Sequence, residues 1–454
     1  MSRSLPLGAP VVHLFIADLR LHDHAALHAG LAQALAEGRP WLALWLPPPA
    51  QPTPWGWPRT GARRLAWWHS AAHGLAQGLA RHGHPLWCLP DGTTATLQAW
   101  ISACSPAAVH VLEVPAPEER AVLQTLVAWG IPVHRHGIGT LHEAADLPFT
   151  PEAVPTVFTA FRQAVERAHT PVPGPLPVPT RWPAAWQPAE NIADRLGWRC
   201  LDPQAPDDTA LLAGDARHAL PWPPADEAPW GGEAAALRHL QRYLDGGHAR
   251  RYKATRNHLA DPWGSSHWSL WLATGALSPR QALAALRAHE AAHGATDGTY
   301  WLWFELLWRD HFRWLHRRFG AALYRARGLA PHAPPRPLDP QRLARWMQGE
   351  TGCDIVDAGM RELAASGYLS NRMRQIVASY WLHELQGDWR VGAAWFEAQL
   401  LDHDPCSNTG NWLYIAGLGT DPRGGRRFDP RKQAAQHDPD GAYRRRWLAP
   451  DTRP

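Results

Sequence analysis

The sequence predicts a doubly wound parallel α/β unit followed by an all-helical one. Three features of the 454-residue chain carry that prediction. The first third alternates short apolar runs with amphipathic stretches, a proline-dense segment follows, and from about residue 232 every periodic stretch has helical spacing. The length suits two domains better than one, and 45% hydrophobic residues are enough for two cores.

"VVHLFI" (11–16), "WLALWL" (41–46), "PLWCL" (85–89) and "VHVLEV" (109–114) read as buried strands, with "GIPVHRH" (130–136) a weaker fifth. Between them, "HAALHAGLAQALAEG" and "GARRLAWWHSAAHGLAQGLARHG" place apolar residues at i, i+3, i+4 and i+7 and end at glycine, as helices do. Strand, helix, strand in repetition means a parallel sheet wound in both directions. No GxGxxG follows the first strand, so a dinucleotide site there is not supported.

"HTPVPGPLPVPTRWPAAWQP" (169–188) suits neither helix nor central strand and reads as an extended connector. Beyond it come "GGEAAALRHLQRYLDGG", "SPRQALAALRAHEAAHG", "TYWLWFELLWRDHFRWLHRRFG", "DPQRLARWMQGETG", "DAGMRELAASGY", "SNRMRQIVASYWLHELQG" and "DWRVGAAWFEAQLLD", all helical patterns broken by Gly or Pro. The expected division is an α/β domain at 1–145, an extended proline-rich connector at 146–231 and a helical domain at 232–454. There is no internal repeat.

Formal charge is nearly balanced at +4, and Lys253 and Lys432 are the only lysines. The other cations are arginines, which suit flat, bidentate contacts with phosphate or carboxylate. The five cysteines are scattered without a CxxC or a His-Cys cluster, which argues for a reducing compartment and against a structural zinc. Residues 1–10 lack the basic start and apolar core of a signal peptide, and no uncharged apolar run could span a bilayer. The expectation is a soluble cytoplasmic protein without a metal. Most of the 27 tryptophans are expected to fill cores.

Two segments carry chemistry. "HDPCSNTGNWLYIAGLGTDPR" (403–423) sets carboxylates, asparagines and hydroxyls directly against Trp412 and Tyr414, as a site for something planar and polar would. In "SNRMRQIVASYWLHELQ", Asn371, Arg374 and Ala378 share one helix face while Arg372 and Gln375 share a neighbouring one. An inward Arg374 needs a buried anion, for which Asp402 and Asp404 are the candidates. The bland alternative is a surface helix with solvated arginines.

Together with "DLRLHDHAAL" (18–27), "WFELLWRDHFRW" (303–314), "TGCDIVDAGMRELAASGYLSNRMRQ" (351–375), "DWRVGAAWFE" (388–397) and "DPCSNTGNWLYIAGLGTDPR" (404–423), the chain resembles the photolyase/cryptochrome flavoproteins. "DLPFTPEAVPTVFTAFRQAVE" (146–166), "YKATRN" (252–257) and "FDPRKQAAQHDPDGAYRRRWL" (428–448) make it most similar to DASH-type cryptochromes. The resemblance implies an N-terminal antenna-type α/β domain and a helical domain holding FAD in a folded form. It places Asn408 at the flavin N5, Asp402 paired with Arg374 beside the ring, and Asp404 at the flavin edge. Asn371 and Arg309 join that cofactor set, and Tyr252, Ser265, Ser266 and Ser269 fall where neutral donors bind the FAD phosphates.

Trp412 matches the flavin-proximal member of the family's tryptophan series and Trp389 the middle one. The outer member is missing, because "GLAPHAPPRPLDPQRLARW" has no tryptophan before Trp346. Either Trp346, Trp395 or Tyr380 supplies another exit, or photoreduction is slow. Trp308 and Tyr414 match the clamp around a flipped pyrimidine dimer, Glu305 the carboxyl that hydrogen-bonds it, and Arg256 and Arg372 contacts to DNA phosphate. Gln375 is the DASH-like residue, which goes with repair of cyclobutane dimers in single-stranded DNA. Glu118 or Glu119 matches the antenna glutamate for 5,10-methenyltetrahydrofolate, although acids at a helix start explain them equally.

The resemblance thus implies a monomeric light-driven repair enzyme of the deoxyribodipyrimidine photo-lyase type. The rival is a blue-light photoreceptor that binds DNA or partners without repair. Repair of (6-4) photoproducts ranks last, because it needs a histidine pair that "LSNRMRQ" does not supply. Ile16 stands where the family usually has arginine, so contacts between the domains are expected to differ.

Overall fold

The computed structural model describes residues 8–187, 197–205, 229–333, 336–421 and 423–449. Among these, six strands form one sheet: β1 Val11–Phe15, β2 Trp41–Trp45, β3 Leu86–Cys88, β4 Ala108–Val111, β5 Val133–Arg135 and β6 Arg199–Cys200. Their order is β5-β4-β1-β2-β3-β6. The first five are parallel, with Val11 opposite both Trp41 and Ala108, and β6 runs antiparallel to β3. Every residue of β1 and β2 is buried, as near-continuous apolar runs require in a sheet covered on both faces. The fifth strand is the short, partly exposed edge, which is why its pattern is the weakest in the sequence. The two-residue β6 was not foreseen.

Helices Ala25–Ala36, Ala62–Ala80, Thr94–Cys104 and Pro117–Ala128 join the parallel strands. The stretch expected as an extended connector is not extended throughout. It carries helix Phe158–Arg167, whose Phe158, Phe161 and Val165 lie at i, i+3 and i+7 and are buried against the helical half. Residues 169–187 hold no helix, and their last part lies along β2: Ala185 bridges to Trp41, Trp186 N–H donates to Trp41 O at 2.9 Å, and the Trp182 ring stands 5.8 Å from the Trp41 ring. The remaining connector residues 188–196 and 206–228 lie outside the described residues.

The helical half is built around Asp297–Phe319, the longest described helix, which packs on His248–Thr255, Pro279–His293 and Pro405–Ala416. Trp271, Trp303 and Trp314 centre one core there, and Trp346, Trp381 and Trp412 centre a second. The expected single helix over 370–387 is Asn371–Ser379 followed by a π-turn, Tyr380–Glu384, closed by Leu385 N–H donating to Tyr380 O at 3.0 Å. Among the described residues no helix is long and apolar enough to cross a membrane.

The two halves meet at the segment after β1. Ile16 is buried among the sheet's apolar residues, and Arg20 makes the junction instead, its guanidinium donating to Gly275 O at 2.9 Å and Asp23 O at 2.8 Å. Gly275 is required here twice over. Its φ is +75°, and a Cβ would sit 2.2 Å from Ala17 O.

Candidate functional site

A cavity of about 690 Å³ opens in the helical half. That is roomy within the roughly 300–1,000 Å³ of cofactor pockets. One wall comes from Tyr252, Ser265, Ser266 and Ser269, a second from Glu305, Trp308 and Arg309, and a third from Asn371, Arg374, Gln375 and Asp402. Helix Pro405–Ala416 closes it with Asn408, Trp412 and Tyr414, and Arg256, Arg372 and Asp404 also line it. The structure therefore gathers into one space every residue predicted for FAD and DNA, drawn from segments more than 150 positions apart.

The helix face predicted to turn inward does so. Arg374 Nη2 donates to both Asp402 oxygens at 2.9 and 2.8 Å, and its Nε donates to Leu369 O at 2.9 Å. The Asp402 side chain is 1% exposed and that of Arg374 25%, so the carboxylate side of the pair is shielded from water. Asp404 lines the cavity and is also held by protein groups. Its Oδ1 accepts Ser407 N–H at 2.7 Å as the N-cap of Pro405–Ala416, and its Oδ2 accepts Arg313 Nη2 at 2.7 Å. Against the upward push of burial, Arg313 and Arg309 hold the Asp404 carboxyl well below the usual carboxylate range.

Arg313, 2% exposed, was missed in the sequence. Its spacing of four from Arg309 along one helix face was the available signal. Arg309 donates to Gly139 O at 2.7 Å, but its Nε has no partner among the described residues and its nearest carboxylate, on Asp310, is 3.9 Å away. Burial lowers it only to about 10, so it remains a cation that lacks a full complement of anions. Asn408 Nδ2 donates to Ala393 O at 2.9 Å, which leaves the amide oxygen for a ligand.

At the rim, Trp308 and Tyr414 stand 5.7 Å apart at 80°. Trp308 is already stacked on Phe158, 3.7 Å away at 12°, and Arg426 lies 5.1 Å over the Tyr414 ring. Glu305 accepts Arg256 Nη1 at 2.5 Å, and burial raises its pKa. Arg256 also lies 4.4 Å over Trp301, so it is held by protein groups on two sides. Arg372 reaches Asn257 Oδ1 at 3.3 Å and sits 5.6 Å over Phe428. His267 and His403 line the cavity as well, which the sequence did not suggest. Burial lowers both, to about 4 for His267, so neither ring is an acid at neutral pH.

Trp389, Glu118 and Glu119 lie outside the cavity, as do the substitute exits Trp346, Trp395 and Tyr380. Trp389 is buried behind it with its Nε1 donating to Ala326 O at 3.0 Å. Glu118 pairs with Arg59 at 3.3 Å, and Arg59 bridges to Glu397 at 2.8 Å, tying the sheet half to helix Trp389–Gln399. Glu119 keeps one buried oxygen without a partner and is raised to about 7 by burial and by Glu118.

Among the described residues His13, Asp18 and His24 also converge, fully buried, with Asp18 Oδ2 3.2 and 3.1 Å from the two Nε2 atoms. His13 Nε2 hydrogen-bonds Asp18 at 3.2 Å, and His24 Nδ1 accepts Leu27 N–H, so its Nε2 carries the proton and faces Asp18 at 3.1 Å without a hydrogen bond of good geometry.

The sequence profile of the DNA photolyase family matches residues 11–182, and that of the FAD binding domain of DNA photolyase matches residues 301–451. A cryptochrome DASH from Gloeobacter violaceus is 38% identical over 441 residues, covering 95% of this chain and 84% of the relative. The crystal structure of a Synechocystis cryptochrome superposes with a TM-score of 0.84 at 33% identity over 97% of this chain and 88% of that one. A bacterial class III photolyase from Agrobacterium tumefaciens gives 0.75 at 29% identity, covering 99% of this chain and 88% of the other.

Proposed function

Because the chain belongs to the DASH cryptochromes of the photolyase/cryptochrome family and carries their FAD-binding domain, we propose that it uses blue light to split cyclobutane pyrimidine dimers, preferentially in single-stranded DNA. The residues of the cavity fit FAD. Arg309 offers a buried cation whose Nε has no partner among the described residues, Asn408 an amide oxygen, and the segment from Tyr252 to Ser269 a group of hydroxyls for a diphosphate. Bound there, reduced FAD supplies a light-driven one-electron donor.

The observation that carries the reading is that one cavity holds both sets of groups. Its depth has Asp402–Arg374, Asn408 and Trp412, and its rim has two aromatic rings nearly at right angles beside Arg256, Arg372 and Arg426. Such rings can wall an extruded base, while the arginines hold phosphate. Extrusion costs least from a single strand, which has no partner strand to unpair. Glu119, with its unpartnered oxygen, supports a pterin contact, so 5,10-methenyltetrahydrofolate is proposed as antenna. A cytoplasmic monomer completes the proposal.

A second reading has its own observation. Trp308 is stacked on Phe158 and Glu305 is held by Arg256, so both already have protein partners, as a photoreceptor that does not repair would allow. Titrating damaged and undamaged single strands into the flavin-loaded protein separates the two. Repair predicts that Trp308→Ala removes about 1–3 kcal/mol of stacking with the damaged strand and little with the undamaged one. Equal affinity for both strands in the wild type supports the photoreceptor.

A further inference from the structure

The π-turn Tyr380–Glu384 grips a piece of the cavity rim. Ser379, just before the turn, and His383 and Glu384 within it meet the consecutive residues Arg426, Arg427 and Phe428. Ser379 Oγ accepts Phe428 N–H at 2.8 Å, His383 Nε2 donates to Arg426 O at 3.1 Å, and Glu384 Oε1 accepts Arg427 Nη2 at 2.7 Å. In an unbroken α-helix a residue five places on is turned away by about 140°. The wider i→i+5 turn brings Glu384 back toward the side of Ser379. The Glu384–Arg427 pair is exposed and stabilises little, so Ser379 and His383 carry the hold.

The segment so held reaches two groups of the rim. Arg426 N–H donates to Ile415 O at 2.9 Å, which lays it along the end of helix Pro405–Ala416. The Arg426 Nη2 donates to the Tyr414 hydroxyl at 2.5 Å, and its Nε donates to Asp421 Oδ2 at 3.1 Å. That carboxylate is fully buried. Arg372 lies 5.6 Å over the Phe428 ring, and Arg426 and Phe428 both line the cavity. Close approach is possible because Gly417 meets Gly424 O, where a Cβ would stand 2.2 Å away.

We infer that Ser379, His383 and Arg426 are positioning residues for strand binding: the first two hold Arg426–Phe428, Arg426 fixes the Tyr414 ring by its hydroxyl, and Phe428 supports Arg372. This rests on the reading that the rim grips a single strand. Tyr414 is half-buried at the cavity mouth, so without that bond its ring must be ordered by the strand, which costs affinity. The Tyr414 oxygen accepts from Arg426, which leaves the hydroxyl proton to donate to an oxygen of the strand. The cation behind it makes it a stronger donor.

This role sets Arg426 apart from the arginines that hold phosphate, and salt distinguishes the two. An arginine that touches phosphate releases counterions, so its loss flattens the salt dependence of binding. One that acts through Tyr414 lowers affinity and leaves the slope unchanged.

Titrating dimer-containing single strands into the flavin-loaded protein over a range of salt tests this, with flavin content recorded for each variant. Arg426→Ala and His383→Ala should each weaken binding about ten-fold, a good part of one ring's stacking, at the salt slope of the wild type. His383→Gln, which keeps a donor for Arg426 O, should restore most of the affinity. In a Tyr414→Phe background, Arg426→Ala should cost little more, because residues that act as a unit are not additive. Hydrogen exchange without DNA gives a second readout. The Arg426 and Phe428 amides should exchange faster in His383→Ala than in the wild type, and the Phe428 amide faster in Ser379→Ala. A flatter salt slope in Arg426→Ala, additive losses in the double variant, or unchanged exchange in His383→Ala overturns the inference. A wild type that binds no strand contradicts the reading of the rim itself, even where the amides respond.

Discussion

Asp402 is the residue on which the cavity's charge balance turns. Removing it strands the Arg374 guanidinium, whose remaining contacts are Leu369 O and the Tyr368 ring at 5.3 Å. Breaking a buried pair from one side costs about 3–5 kcal/mol. Arg374 is a quarter exposed toward the cavity, so Asp402→Ala should fall at the lower end, with a lower melting temperature and loss of bound flavin. Unchanged melting and flavin content would mean that the pair is not shielded. This pair was legible because an inward arginine must find an anion, and the sequence offered only two nearby candidates. The Arg313–Asp404 and Arg256–Glu305 contacts were not legible. Each joins residues 91 or 49 positions apart, and no local pattern says which of several arginines meets which carboxylate.

The helices that frame the cavity depend on close backbone approach. Trp389–Gln399 lies against Pro405–Ala416 at Gly392, where a Cβ would come within 2.3 Å of the Trp412 ring. Gly392→Ala should therefore displace Trp412 and cost about 1–3 kcal/mol, as overpacking a core does. Thermal melting measures that cost, and a melting temperature equal to wild type would show that the helices can part freely. The element pattern itself was largely readable, because apolar residues at helical spacing recur between Gly and Pro breaks. Two elements were not. The π-turn at Tyr380–Glu384 adds one residue without changing composition, and helix Phe158–Arg167 hid because its apolar face has a partner only in the helical half.

Across the whole molecule, buried ionisable groups set the response to pH. His24, His239, His267, His311 and His316 are each lowered to about 4 by burial, against 6.5 in the open chain. Between those values the unfolded state binds more protons, so stability rises with pH. Glu119 and Asp310, raised to about 7, and Glu362, raised to about 8, act in the opposite direction. Five histidines outweigh three acids below 6.5, and above it only the acids remain. The melting temperature should therefore climb from pH 4 and peak near pH 6.5–7, and a protein most stable at pH 4.5 would refute this balance. The same scale decides function, because the cavity, the rim and the arginines serve repair only if they act together on a strand. The most direct measurement is the loss of cyclobutane dimers under blue light, with the bound flavin fully reduced, in matched single- and double-stranded oligonucleotides. The account predicts repair of the single strand, much weaker repair of the duplex, and binding that weakens as salt displaces the arginine–phosphate contacts. Single-stranded dimers that survive illumination, in a protein that holds reduced flavin and binds the strand, would contradict it.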